Sequence, residues 1–155
     1  MARARLVKVL VRIPNHWFLP AESMWARRVR PGEYELRNVP FFAYDLNFGD
    51  VVRACAPDRE SLPEVTKVVR RSGNRTFRVI FPKGAPRKRI FAALKPMSVT
   101  FELFDERYAA LNVADPKRYD EVEQYLRARK REKKIDYESC EARVRGSFDA
   151  KKRKR

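Results

Sequence analysis

Histidine and cysteine are nearly absent from this sequence of 155 residues, which contains one histidine and two cysteines. Cys55 and Cys140 lack the paired spacing of a zinc knuckle, and two cysteines cannot form a disulfide-rich scaffold. We therefore expect free thiols, as in the reducing cytoplasm, and neither a metal nor a cofactor. His16 alone cannot supply the several ligands that a metal site requires.

Glycine is also scarce, with five residues, and long apolar runs are missing. The sequence has no glycine-rich phosphate loop and neither the HExxH nor the GxSxG motif of hydrolases. No apolar stretch approaches the roughly 20 residues of a transmembrane helix. The N-terminal run at 9–11 is interrupted by Arg12 and Pro14, which makes it too short for a signal peptide. These absences predict a soluble protein without a membrane partner and lean toward a protein that is not an enzyme.

Positive charge is abundant. The chain has 36 Lys and Arg against 20 Asp and Glu, for a formal net charge of +16, and 44% of it is apolar. Residues 1–75 carry 14 basic and 8 acidic side chains (+6), whereas residues 76–155 carry 22 and 12 (+10). The apolar content predicts a folded protein. The charge favours a polyanionic partner such as nucleic acid, or an acidic protein surface.

The first half of the chain has the pattern of short antiparallel strands. Val7, Val9, Val11 and Ile13 alternate with polar positions, as in a half-buried strand. A hairpin follows at 24–39, with Pro31-Gly32 in its turn, and further strands are predicted at 51–55 and 64–72. The absence of a helical pattern predicts a small antiparallel β-barrel over residues 1–73.

The second half alternates strands and helices. Strands are predicted at 76–81, 98–104, 107–113 and 136–144, with helices at 86–95 and 115–134. The order β-α-β-β-α-β is that of the ferredoxin-like fold. We therefore predict an α+β protein with a ferredoxin-like domain at 74–146 and a flexible basic tail at 147–155.

Several short motifs lie between residues 22 and 73: Glu22-Ser23-x-Trp25-Ala26, Tyr34-x-Leu36-x-Asn38-x-Pro40-Phe41-Phe42-Ala43-Tyr44, Gly49-Asp50-Val51-Val52-Arg53 and Arg71-Ser72-Gly73. Together they resemble the signature of an uncharacterised bacterial domain-of-unknown-function family, over residues 6–81. The resemblance implies a barrel followed by a ferredoxin-like unit and brings no established activity. The basic second half of this chain departs from the family.

Four aromatic side chains in the segment NVPFFAYDLNFGDVV have two interpretations: Phe41, Phe42, Tyr44 and Phe48. They would form a stacking platform for unpaired bases, because aromatic faces accept any base. Alternatively, they pack against the end of a small barrel, with Gly49 supplying a positive φ. The sequence leaves both interpretations open.

Two features are weak candidates for catalysis. His16, paired with Glu22 or Tyr44, would be the general base of a small metal-independent nuclease. Asp45 and Asp50 flank the aromatic segment, but turns favour aspartate for backbone reasons, so we interpret these acids as structural.

The excess cations of the second half cluster in three places. Arg87, Lys88 and Arg89 occupy the first turn of a predicted helix, where unpaired N–H groups already carry a partial positive charge. A bound phosphate would remove this conflict, and a solvent-screened surface charge is the alternative. The second cluster, which complements a helix C-terminus, contains Arg127, Arg129, Lys130, Arg131, Lys133 and Lys134. The third cluster, in the tail, contains Lys151, Lys152, Arg153, Lys154 and Arg155.

These clusters predict a protein that binds nucleic acid electrostatically, with RNA or a ribonucleoprotein favoured over a specific DNA sequence. The two helices of a ferredoxin-like unit pack on one face of the sheet, which would bring the first two clusters to the same side. The strands at 76–81 and 136–144 lack the paired aromatic residues of an RNA-recognition module. Two alternatives remain. One is an immunity, antitoxin-like or regulatory module that binds an acidic protein, and the other is a basic nuclease that uses His16.

Overall fold

A computed structural model of the chain describes residues 5–13 and 19–140. The described residues form a mixed α+β structure with two sheets and two α-helices. The elements are β1 (Leu6–Arg12), β2 (Ala21–Arg30), β3 (Glu33–Leu36), β4 (Val51–Cys55), β5 (Glu64–Arg70), β6 (Arg75–Ile80), α1 (Arg87–Leu94), β7 (Val99–Leu103), β8 (Tyr108–Val113), α2 (Tyr119–Arg131) and β9 (Asp136–Ser139). Short 3₁₀ turns at Lys95–Met97 and Pro116–Arg118 follow α1 and precede α2.

Strands β1 to β5 form the first sheet, which closes on itself in that order. Consecutive strands are antiparallel, whereas β5 pairs with β1 through a parallel bridge between Leu10 and Glu64. The first and last of five strands with alternating directions must run the same way, so the closing pair is parallel. The other four pairs are antiparallel, as the sequence predicts.

Local sequence signals explain the β-structure of the first sheet. Val9 and Val11 of β1 and Ile13, which directly follows this strand, are buried, as their alternation predicts. The hairpin of β2 and β3 turns at Pro31 and Gly32, where Gly32 has a φ of +75°. Both the predicted strand face and the predicted turn are confirmed.

The second sheet has the strand order β7-β8-β6-β9, and each neighbouring pair is antiparallel. Helices α1 and α2 cover one of its faces. Their contact residues Ile90, Leu94, Val122 and Leu126 share a core with the inward-facing residues of the strands, such as Phe77. The second helix ends at Arg131, three residues before the predicted Lys134. The predicted domain boundary between residues 73 and 74 stays a prediction.

The register of the second sheet places both basic helix ends at one end of the sheet. Ile80, the last residue of β6, pairs with Tyr108 and Asp136, which begin β8 and β9. Helix α1 begins seven positions after Ile80, at Arg87, and α2 ends five positions before Asp136, at Arg131. The N-terminus of α1 and the C-terminus of α2 therefore both lie at this end of the sheet. We call this region, residues 87–89 and 127–134, the basic end.

Candidate functional site

The loop between β3 and β4 lies across the second sheet, on the face that the helices leave open. We call residues 38–47 the strap. Cross-strand pairs place Glu102, Arg78 and Glu138 on this face. Each strand contributes one side chain to a hydrogen bond with the strap, in the order of the sheet: Glu102 of β7 with the Val39 N–H, Tyr108 of β8 with the Phe41 carbonyl, Arg78 of β6 with the Ala43 carbonyl and Glu138 of β9 with the Tyr44 hydroxyl.

Glu22 of β2 binds the same loop through the N–H groups of its backbone. Its carboxylate accepts hydrogen bonds from Phe41, Phe42 and Ala43 at 2.7, 3.0 and 2.9 Å. Hydrogen bonds to a charged acceptor contribute about 1.5–3 kcal/mol each. Glu22 is thus a structural residue, and its carboxylate is occupied rather than free to assist His16. Sequence reasoning missed this role because the partners lie about 20 residues away.

The aromatic residues of the strap pack against the hairpin of β7 and β8. Phe42 contacts Phe104 and Tyr108, with ring centroids 5.1 and 5.6 Å apart, and Phe41 lies 5.5 Å from Phe104. Phe42 also packs against the core of the first sheet. These contacts favour the interpretation of Phe41 and Phe42 as packing residues over that of a stacking platform for bases. The packing differs from the expected one, because these rings contact the second sheet as well as the first.

The two acids beside the aromatic segment bind Arg71 and the backbone. Arg71 donates to the Asp45 carboxylate at 2.8 Å, and Asp50 is fully buried. Asp50 accepts hydrogen bonds from the N–H groups of Ser72 and Asn47, at 2.8 and 3.0 Å. These contacts agree with the structural interpretation of both acids.

Arg78 is a buried cation that sequence reasoning did not single out. Its side chain is 1% exposed, its Nε donates to Glu138 at 2.9 Å, and its Nη1 donates to the Ala43 carbonyl at 2.8 Å. The guanidinium also lies 4.4 Å from the centre of the Tyr44 ring. Burial, together with the hydrogen bond to Glu138, raises the pKa of Tyr44 to about 12. Burial likewise raises the pKa of Tyr108.

The unfavourable charge of the α1 N-terminus is present in the structure. The helix begins at Arg87 with no acidic residue in its first turn and no side-chain cap. Arg87 donates to the carbonyl of Glu106, which occupies its guanidinium. Lys88 and Arg89 are exposed, and neither forms an ion pair with any described residue. Two cations therefore remain available to an anion at this helix end.

The cations of the second cluster divide into paired and unpaired residues. Four of them form ion pairs at 2.7 to 3.1 Å: Arg127 with Glu123, Arg129 with Glu132, Lys130 with Asp136 and Lys134 with Glu132. Such exposed pairs contribute about 0–1 kcal/mol each, so these cations can exchange partners cheaply. Arg131 and Lys133 have no acidic partner within residues 5–13 and 19–140.

Several predictions concern residues that the structure does not describe. His16 and the tail residues Lys151, Lys152, Arg153, Lys154 and Arg155 lie outside the described residues, so the predictions about them stay predictions. In the part of the chain that is described, no three His, Cys, Asp or Glu side chains are grouped as metal ligands. None of the helices described there is long and apolar enough to cross a membrane.

The fold and the strap define an α+β protein in which the loop of one sheet crosses the open face of another. A family model described as "Domain of unknown function (DUF4265)" matches residues 22–137, and the chain belongs to this family. This match confirms the resemblance to an uncharacterised domain family. A solved structure described as "Novel crystal structure of a hypothetical protein from Neisseria gonorrhoeae" is similar, with a TM-score of 0.77 and 20% identity over 90% of this chain and 97% of that one. The likeness shows a shared fold. No curated protein matches the sequence.

Proposed function

We propose that this protein is a non-enzymatic nucleic-acid-binding protein of the cytoplasm that contacts the phosphates of RNA or of a ribonucleoprotein through the basic end. The observation that carries the proposal is the strand register, which brings the N-terminus of α1 and the C-terminus of α2 to one end of the second sheet. Lys88, Arg89, Arg131 and Lys133 of the basic end are exposed and have no acidic partner among the described residues.

The physical basis of the proposed binding is electrostatic. A cation in the first turn of a helix is unfavourable by about 0.3–1 kcal/mol, and a phosphate at the same place reverses the sign of that interaction. Release of counterions from the nucleic acid adds to the affinity at low salt. Contacts of this kind position the backbone of a nucleic acid and do not discriminate between base sequences.

The proposal includes a finer description of the fold, with a small barrel followed by a ferredoxin-like unit. Closure of the first sheet supports the barrel, and the order β6-α1-β7-β8-α2-β9 supports the ferredoxin-like unit. RNA-recognition modules of this architecture bind RNA on the open face of the sheet. In this protein the strap covers that face, so we assign the contact with phosphates to the helix ends instead.

A salt titration of RNA binding tests the proposal. If about 6–8 phosphates are contacted, the slope of log affinity against log salt is about −4 to −7. A variant with Lys88, Arg89, Arg131 and Lys133 changed to Gln should lower the magnitude of this slope by about 3. The matched control changes four exposed cations of the first half to Gln: Arg28, Arg59, Lys67 and Arg70. An equal decrease of the salt slope in both variants, or an affinity that does not depend on salt concentration, would refute the assignment to the basic end.

Purification with and without nuclease separates this proposal from a module that binds an acidic protein. We expect partners of the natural protein to be lost after nuclease treatment. A protein partner that remains bound in stoichiometric amount would replace the proposal by the protein-binding alternative. Cleavage of RNA that is abolished by His16→Ala would favour the nuclease.

A further inference from the structure

Strand β7 forms one edge of the second sheet, because β8 is its one neighbour among the described strands. The Ala114 N–H donates to the Ser98 carbonyl, and the Phe104 N–H donates to the Tyr108 carbonyl. Hydrogen-bonded pairs alternate along an antiparallel ladder, so the even-numbered residues of β7 bond to β8. The backbone N–H and C=O groups that point out of the sheet therefore belong to the odd-numbered residues Val99, Phe101 and Leu103.

The side chains of these three residues are apolar and lie on the helix face of the sheet. Val99 is buried in the core beneath the helices, and the Phe101 ring stacks on Phe91 of α1 with centroids 3.9 Å apart. Phe101 and Leu103 are nevertheless 43% and 48% exposed. The edge thus offers unpaired backbone groups and uncovered apolar side chains at the same residues.

The usual protections of an edge strand are missing from β7. Natural edges carry lysine, proline or a bulge, each of which hinders pairing with another chain. The sequence of β7 is VTFEL, and its register with β8 is unbroken. Its one charged residue, Glu102, is bound by the strap. The opposite edge of the sheet, β9, carries the exposed acids Asp136 and Glu138 instead.

We propose that β7 pairs with β7 of a second copy of this chain, antiparallel and with Phe101 on the two-fold axis. In this register the outward-pointing groups of the odd-numbered residues face one another. Each of the three hydrogen-bonded residue pairs exchanges two bonds, so about six backbone hydrogen bonds form. The two copies then share one continuous sheet, and the same surface of each copy meets the other, as two-fold symmetry requires.

The side chains fit this register. On the helix face Phe101 meets Phe101 of the second copy, and Val99 meets Leu103, so apolar groups lie opposite apolar groups. On the face that the strap crosses, Thr100 meets Glu102, and no two like charges lie opposite each other. An unrelated peptide would need a matching alternation of its own, whereas a second copy supplies it by symmetry.

Charges beyond the ends of β7 complement each other in the same arrangement. The register continues past Leu103 and places the acidic turn Asp105-Glu106 of one copy beside the 3₁₀ turn Lys95–Met97 of the other. The side chains of Lys95 and Glu106 are exposed, and neither forms an ion pair with any described residue. The two-fold axis repeats this attraction at both ends of the paired strands. It favours the second copy as the occupant of the edge.

Sedimentation equilibrium of nuclease-treated protein tests this inference separately from RNA binding. We expect the average mass to rise from 18.3 kDa toward twice that value between about 1 and 500 µM, because a short edge forms a small interface of micromolar affinity. Leu103→Lys puts a lysine into the paired edge and should weaken the association at least about tenfold. Ile80→Lys is the matched control, since Ile80 is also 48% exposed but lies on β6, two strands from this edge.

Two further measurements check the register. Lys95→Glu should weaken the dimer by setting like charges beside each other, and combining it with Glu106→Lys should restore the dimer. Hydrogen exchange followed by NMR should show the Phe101 N–H protected more strongly at high protein concentration, because it donates across the axis only in the dimer.

Two results would overturn the dimer and leave the proposed phosphate binding untouched. One is a mass that stays at 18.3 kDa up to about 500 µM. The other is a dimer in which the N–H groups of Val99, Phe101 and Leu103 exchange as fast as in the monomer, since such an association uses another surface. Both measurements use the natural protein, so they decide the question even if Leu103→Lys fails to fold.

Discussion

The strap and the basic end use charged residues in opposite ways. The charged residues that bind the strap, such as Glu22 and Arg78, are paired with its backbone groups. At the basic end, Lys88 and Arg89 stand on the surface at an unfavourable helix terminus. The contrast teaches that charge holds the two sheets together in one region and is left available to a partner in the other.

Replacing Arg78 should produce the largest effect on stability. Arg78→Met removes the guanidinium that binds Glu138 and the Ala43 carbonyl, and loss of one member of a buried ion pair costs about 3–5 kcal/mol. Because Glu138 is 45% exposed and can regain water, we expect the lower part of this range. Urea denaturation gives the free energy of unfolding.

Arg89→Met is the matched control from the basic end, since Arg89 is exposed. Because the change removes a cation from the first turn of α1, it should stabilise the protein by at most about 1 kcal/mol, opposite in sign to the effect of Arg78→Met. Equal effects of the two substitutions would remove the distinction between strap and basic end.

The second largest effect on the free energy of unfolding should come from alkaline pH, through Tyr44 of the strap. The folded pKa of Tyr44 is about 12, above the roughly 10 of an exposed tyrosine in the unfolded chain. Its contribution to stability is therefore complete below pH 10 and is lost as the pH rises toward 12. Tyr44→Phe should show a shallower decline of unfolding free energy over this interval than the natural protein. Parallel declines in the two proteins would contradict the assigned environment of Tyr44.

The smallest expected effect is at the basic end and has the opposite sign. Lys88→Gln and Arg89→Gln should each stabilise the protein by about 0.3–1 kcal/mol, because a cation opposes the dipole at a helix N-terminus. Arg131→Gln, in the last turn of α2, should destabilise it slightly for the same reason. Thermal melting measures all three. Destabilisation by the α1 substitutions would mean that Lys88 and Arg89 stabilise the fold and are not held available for an anion.

Features that depend on neighbours in sequence were predicted well. The alternation in β1, the turn at Pro31 and Gly32 and the helix that begins near Pro86 all follow from local patterns and occur in the structure. The sequence locates the aromatic residues of the strap but does not decide whether they pack within the protein or stack on bases, because a ring packs equally well against a base or another ring.

The sequence does not predict the contacts of Arg78 and Glu22, since their partners lie far away in sequence. Arg78 looks like an outward-facing strand residue until the strap covers it, and its partners Ala43 and Glu138 lie 35 and 60 positions away.

The sequence alone determined the surplus of positive charge, the strands and helices in their order, and the conflict at the start of α1, because composition and local periodicity act within a few residues. The tertiary structure alone decided which charges are enclosed and which remain available. Enclosure depends on strand register and on a loop from one sheet lying over another, and these bring together residues that the chain itself keeps apart.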